Sequence, residues 1–221
     1  GPGPLPGREG GTWATYAGLL RNRPYALTVL GYAAYTFALG GLAFWAPAFL
    51  ERILQMSKAD ATVQFGAIVV VTGFVGTFAG GWLGDFFLKR SREAYLWVSG
   101  WATLAAAPVA LVAFVARERA INMSAIVVAE LLLFVSTGPI NSAIVNLVRP
   151  TERATAVALS ILAIHLLGDV PSPPLIGALS DATSLATAFR LLPVPMALAG
   201  GIWLAAARLG SPAPAPGRGA G

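Results

Sequence analysis

Residues 149–181 read RPTERATAVALSILAIHLLGDVPSPPLIGALSD, and their pattern decides the fold class. The stretch opens on a charged turn, runs apolar for most of its length and ends on Asp181. In its middle stand the only histidine of the chain, His165, and an acid four residues on, Asp169. Pro171, Pro173 and Pro174 come at once after them. Proline in a water-exposed helix interior costs about 3 kcal/mol, so a helix in water would stop here. This one resumes as LIGAL, the pattern of a broken transmembrane helix, whose freed carbonyls are met by neighbouring helices, hydroxyls or water. An ionisable pair beside a break at membrane depth points to a functional site, and the three prolines to a hinge.

The composition agrees. Of 221 residues, 56% are hydrophobic and 11% charged, against about 45–50% and about 25% in soluble domains. The chain reads as an all-α, multi-pass integral membrane protein in contact with the lipid bilayer. It has no cysteine and one histidine, which excludes a disulfide framework, a thiolate metal site and a multi-histidine metal site. No metal and no organic cofactor are expected. The net charge of +5 lacks the arginine-and-aromatic clusters of a nucleic-acid surface. It reads instead as topological charge in cytoplasmic loops, and no nucleic-acid partner is expected.

Six spans of about 20 residues or more can each cross a hydrocarbon core of ~30 Å. They lie at about 24–50, 63–88, 94–116, 122–148, 152–180 and 187–207, joined by short loops into a compact antiparallel bundle over 24–208. Residues 1–23 read as a flexible linker and 209–221 as a disordered tail. A chain that begins mid-linker without methionine reads as part of a longer polypeptide. Ten Lys and Arg residues fall on one side: Arg8, Arg21, Arg23, Lys89, Arg90, Arg92, Arg149, Arg153, Arg208 and Arg218. Five fall on the other: Arg52, Lys58, Arg117, Arg119 and Arg190. The richer side is expected to be cytoplasmic, with both ends of the chain inside and the plasma (inner) membrane as location.

Polar residues inside the spans are few. Thr28, Tyr32 and Tyr35 share a face of span one, either packed in the bundle core or lining a cavity. The glycines of span two, Gly76, Gly80 and Gly84 among them, have the small-xxx-small spacing of close helix contacts. Spans three and six have no acid or base in their interiors and read as lipid-facing outer helices. Glu130 lies well inside span four, where a charge costs about 2.5–3.5 kcal/mol. Thr137 and Asn141 lie further along its face, and the stripe points to a cavity wall or to a structural hydrogen bond. His165 and Asp169, four apart, face the same way. Histidine changes charge around neutrality, so with Glu130 the chain holds the ingredients of proton coupling. The alternative is a buried His–Asp pair that braces the broken helix.

The strings GGLAFWAPAFL (40–50), GGWLGD (80–85), AELLLF (129–134) and above all RATAVALSILAIHLLGDVPSPPLIGALSD (153–181) resemble the spinster-like branch of the major facilitator superfamily. The resemblance covers nearly the whole chain apart from the two tails. It implies the C-terminal six-helix half of a twelve-helix transporter, built as two inverted three-helix repeats, with the N-terminal half as missing partner. It implies a central cavity lined chiefly by spans one and four, faced by Glu130 and His165, and a small amphiphilic substrate such as a lysolipid or sphingoid-type lipid. Gly81, Asp85, Lys89 and Arg90 match the superfamily's cytoplasmic loop signature, with Phe86 and Leu88 standing where a basic residue and a glycine are expected. In that pattern Asp85 meets a helix N-terminus of the other half and Arg153 its loop acid. Both charges are therefore expected to lack partners in this chain. Other readings are an inactive fragment, a half that only packs with a partner, or a carrier of a non-lipid organic solute. No Gly-x-Ser-x-Gly, Asn-Pro-Ala or phosphate-binding loop is present to suggest an intramembrane protease, an aquaporin-type channel or an ATPase.

Overall fold

The computed structural model describes residues 13–116 and 118–210. Arg8, Arg117 and Arg218 lie outside the described residues, as do most of the residues read as a tail. Every regular element described is helical: α1 (Trp13–Arg21), α2 (Arg23–Ile53), α3 (Lys58–Leu88), α4 (Ala94–Val115), α5 (Arg119–Asn146), α6 (Arg153–Ile164), α7 (Ser172–Ala182), α8 (Leu185–Leu191) and α9 (Pro193–Leu209). A 3-10 turn (Pro150–Glu152) leads into α6, and a π-helical turn (His165–Asp169) joins α6 to α7. Six helical spans are long and apolar enough to cross a membrane: α2, α3, α4, α5, Pro150–Ala182 and Leu185–Leu209. The sequence-based expectation of six membrane helices and no sheet is met. The segment read as a linker differs, because residues 13–21 of it form α1.

Burial repeats with a period of three helices. In the most apolar stretch of each span, 44% of residues are buried in the first, third, fourth and sixth spans, and 22% in the second and fifth. The two three-helix repeats therefore bury their helices alike, and the middle helix of each is the least covered. Spans three and six, read as lipid-facing, are as covered within this bundle as spans one and four and still expose apolar faces at Trp101, Leu111, Val112, Val194 and Leu198. Small residues let α4 and α9 close on each other: Ala106, Ala107, Ala110, Ala199 and Ala206 are buried, and a Cβ at Gly200 would come within 2.8 Å of the Gly100 carbonyl.

Hydroxyls hold α4 to α5. Thr103 and Ser136 share a 2.7 Å hydrogen bond, and the Ser136 hydroxyl donates to the Ser99 carbonyl at 3.1 Å. The glycine face of α3, with Gly76, Gly80 and Gly84 buried, lies against α5 at Phe134, Val135 and Pro139. At one end Phe49, Phe114 and Phe189 form an aromatic cluster, with Phe49 stacked on Phe189 at 4.4 Å.

Candidate functional site

Span five passes its prolines without a gap. The Val170 amide donates to the His165 carbonyl at 3.2 Å, five residues back, which defines the π turn. Pro171 then serves as the N-cap position of α7 and Pro173 falls in its first turn. There the missing amide protons would have had no helical partner anyway. Helix α2 supports the irregular backbone from the side. The Thr36 hydroxyl bonds to the Ile164 carbonyl (3.2 Å), Ser172 Oγ donates to the Phe37 carbonyl, and Trp45 Nε1 donates to the Pro173 carbonyl at 2.9 Å. Lower down, the Tyr25 hydroxyl donates to the Ala156 carbonyl at 2.7 Å. Glycine makes this approach possible. A Cβ on Gly168 would overlap Thr36 Oγ1 and stand 2.9 Å from the Ala33 carbonyl, while one on Gly40 would stand 2.9 Å from the Asp169 Cα. The expected hinge at Pro171, Pro173 and Pro174 is thus clamped along α2.

His165 and Asp169 do pair. His165 Nδ1 lies 3.0 and 2.9 Å from the two Asp169 carboxylate oxygens. The pair is not buried, contrary to the bracing alternative: the side chains are 56% and 38% exposed. Around it Ile161, Leu162, Leu166, Leu167 and Val170 are exposed as well. The reason is the low coverage of span five, since only one of its sides meets α2.

A second polar group lies in the seam between α2 and α5. Tyr35, buried, donates to the Leu133 carbonyl at 2.9 Å and lies 3.3 Å from the Thr137 hydroxyl. Asn141 Nδ2 reaches the Tyr32 hydroxyl at 3.4 Å and the Thr137 carbonyl at 2.8 Å. Tyr32 and Tyr35 pack on Trp203 of α9 at ring distances of 6.4 and 5.5 Å. Trp203 in turn donates to the Thr28 carbonyl at 3.0 Å. The tyrosines therefore belong to the core, and Asn141 is the exposed end of the stripe. Glu130 is its buried end. It is 1% exposed, and its Oε2 has no hydrogen-bond partner among the described residues. It does not line an open surface of this bundle, as expected of a cavity wall, because α2 packs onto α5 one turn away at Leu133. No hydrogen bond or ion pair among the described residues links His165 or Asp169 to Glu130, Asn141, Tyr32 or Tyr35.

At the arginine-rich end two charges expected to lack partners have them. Asp85, exposed, accepts a 2.7 Å hydrogen bond from the Tyr95 hydroxyl. Arg153 Nε donates at 3.1 Å to the Val145 carbonyl in the last turn of α5, where a cation meets the unpaired carbonyls and negative end of the helix. Gly81 has nothing within 4 Å of a would-be Cβ. Lys89 and Arg90 are exposed, and the Arg90 guanidinium lies 5.8 Å from the Phe86 ring. A shallow apolar depression of about 440 Å³ between α4 and α5, lined by Val109, Ile121, Ser124 and Val128, shares no residue with these groups.

Sequence reasoning named the charged and tyrosine residues but missed Thr36, Trp45, Ser172 and Trp203, which hold the site's backbone. The one available signal was Ser172 between two prolines, a hydroxyl beside freed carbonyls.

The chain is similar to known proteins at the level of a family model, of curated relatives and of solved structures. Residues 11–120 match the model of the Organic Anion Transporter Polypeptide (OATP) family. The chain is 36% identical over 192 residues to "Probable sphingolipid transporter spinster homolog 2" of Arabidopsis thaliana, covering 84% of this chain and 39% of that protein. It is 34% identical over 215 residues to "Sphingosine-1-phosphate transporter SPNS2" of Mus musculus, covering 86% and 39%. The chain thus spans about two-fifths of the length of these curated relatives. Among solved structures, a bacterial homolog of the human lysosomal transporter Spinster, inward-facing and unoccupied, superposes with a TM-score of 0.80 at 20% identity, over 93% of this chain and 52% of that one.

Proposed function

The chain belongs to the spinster-like branch of the major facilitator superfamily, and on that premise we propose that it is the C-terminal six-helix half of a secondary active transporter for a small amphiphile. The observation that carries this reading is the exposed His165–Asp169 pair near the middle of the 33-residue span Pro150–Ala182. An ionised group facing hydrocarbon at mid-membrane costs about 2.5–3.5 kcal/mol. The face that holds this pair must therefore meet water or protein that lies outside these residues. A central cavity shared with an N-terminal half supplies both. The low coverage of the middle helix of each repeat argues for the same partner.

On this face one polar pair is set beside exposed Leu162 and Leu166. That pattern suits a molecule with a polar head and a long tail, and two relatives are described as sphingolipid and sphingosine-1-phosphate transporters. His165 and Asp169 bind the headgroup, with Asn141 at the exposed end of the α2–α5 seam and the Tyr32 hydroxyl behind it. Glu130, with an unpartnered oxygen beneath that seam, and His165 carry the coupling proton: loaded from one side, neutral during reorientation, released on the other. Gly81, Asp85, Lys89, Arg90 and Arg153 form the gate toward the other half.

The test is transport by the full-length protein in liposomes, with a lysolipid or sphingoid substrate and an imposed pH gradient. Gradient-driven uptake is lost in Glu130→Gln and His165→Ala, while Glu130→Gln retains substrate exchange without a gradient. Unchanged pH-dependent uptake in Glu130→Gln removes the proton role. Transport by the 221 residues alone removes the missing half. The match of residues 11–120 to the organic anion transporter model favours a second reading, a non-lipid organic anion as substrate. Competition between such anions and the lipid for uptake separates the two.

A further inference from the structure

Helix α1 has two apolar sides, and the bundle covers only one of them. Leu19 is 2% exposed and seats the helix on the bundle, where α1 meets α2 and α6. On the other side Trp13, Ala17 and Leu20, spaced four and three apart, form a single exposed stripe, with Trp13 at 89% and Leu20 at 62% exposure. Helix α2 sets the height of α1 relative to the membrane. Asn22 alone separates α1 from α2, a membrane-length helix that starts at Arg23. The Asn22 side chain is fixed twice: Oδ1 accepts from the Tyr25 amide at 3.3 Å, and Nδ2 donates to the Leu147 carbonyl at 2.9 Å in the α5–α6 corner. Helix α1 is thereby held where the first turn of a spanning helix leaves the hydrocarbon.

The charge at this level is mostly basic. Arg21 and Arg23 flank the junction and Arg149 lies in the corner that Asn22 grips; all three are exposed, with Glu152 as the one acid of that corner. We infer that α1 is an interfacial helix that inserts Trp13 and Leu20 into the membrane surface beside a cluster of arginines that binds anionic lipid headgroups. Tryptophan favours this depth because its ring is apolar and its N–H is met by headgroups or water. An amphipathic helix with flanking basic residues binds through both buried apolar area and attraction to acidic lipid. The inference concerns the membrane contact of the fold and does not depend on the substrate.

These 221 residues hold no cysteine, so a single thiol can report the contact. In the natural full-length protein, with any cysteine elsewhere replaced by serine, Leu20→Cys and, as a control, the exposed Ala14→Cys are labelled with a fluorophore. The protein is placed in nanodiscs of phosphatidylcholine, with or without phosphatidylglycerol. The Leu20 label is expected to be quenched by lipid spin-labelled near the headgroup and shielded from aqueous iodide, and the Ala14 label to behave in reverse. Lipid quenching at Leu20 should rise with phosphatidylglycerol and lose that rise in an Arg21→Gln/Arg23→Gln variant. A Leu20 label open to iodide overturns the proposal. So does one shielded from both quenchers, which means that another part of the protein covers the stripe. Equal lipid quenching in both bilayers overturns the preference for anionic lipid. Trp13→Cys, on the same stripe, repeats the measurement if Leu20→Cys fails to fold.

Discussion

Replacing Glu130 separates function from stability. A buried side-chain oxygen without a partner costs about 1–3 kcal/mol, and Glu130 Oε2 is in that position at 1% exposure. Methionine has a similar length and no polar oxygen. Glu130→Met is therefore expected to raise the free energy of unfolding by about 1–3 kcal/mol, since it removes the orphaned acceptor and adds apolar contact. Glu130→Gln keeps both shape and polarity and should change stability less. Both variants should lose gradient-driven transport. The assay is unfolding in mixed micelles with increasing dodecyl sulfate, read by circular dichroism, next to uptake in liposomes. A gain in stability with a loss of coupling marks a residue kept for its chemistry. A loss of about 1 kcal/mol or more in Glu130→Met would refute the reasoning, because the carboxyl would then be holding the α2–α5 seam together.

The packing gives two further expected outcomes. Gly168→Ala forces a methyl against Thr36 Oγ1 and the Ala33 carbonyl, so it should destabilise by about 1–3 kcal/mol from overpacking, with about 1 kcal/mol more if the Thr36–Ile164 bond is lost; a neutral result in the same unfolding assay would mean that the π turn does not rest on α2. Tyr95→Phe removes the 2.7 Å bond to Asp85 and should cost about 0.5–1.5 kcal/mol, and in a double-mutant cycle with Asp85→Asn the two effects should be less than additive.

The six spans were legible because length and apolarity alone mark a membrane helix, and no partner is needed to see them. The pairing of His165 with Asp169 was legible too, since a spacing of four survives the passage from α to π geometry closely enough for contact. Burial was not legible. Glu130 and His165 read alike in sequence, as ionisable groups in apolar helices, yet one is covered and the other exposed. The difference arises from which helix packs on which side, and periodicity does not report that. The partners of Asp85 and Arg153 were missed for a related reason: a tyrosine ten residues on and a carbonyl at the end of another helix leave no charge pattern to read. The low coverage of spans two and five within this bundle was not legible either, because small apolar residues serve close packing and lipid contact equally well.

The bonds between α2 and span five have a mechanical consequence. Tyr25, Thr36, Ser172 and Trp45 fasten the two helices from Ala156 to Pro173, on both sides of the π turn. A beam weakened at one point but splinted to a neighbour above and below that point is stiffened there. Load applied to the α7 half of span five has a path into α2, and through Trp203 into α9. The three helices are tied together, and the π turn is braced on both sides where the prolines alone would suggest a joint.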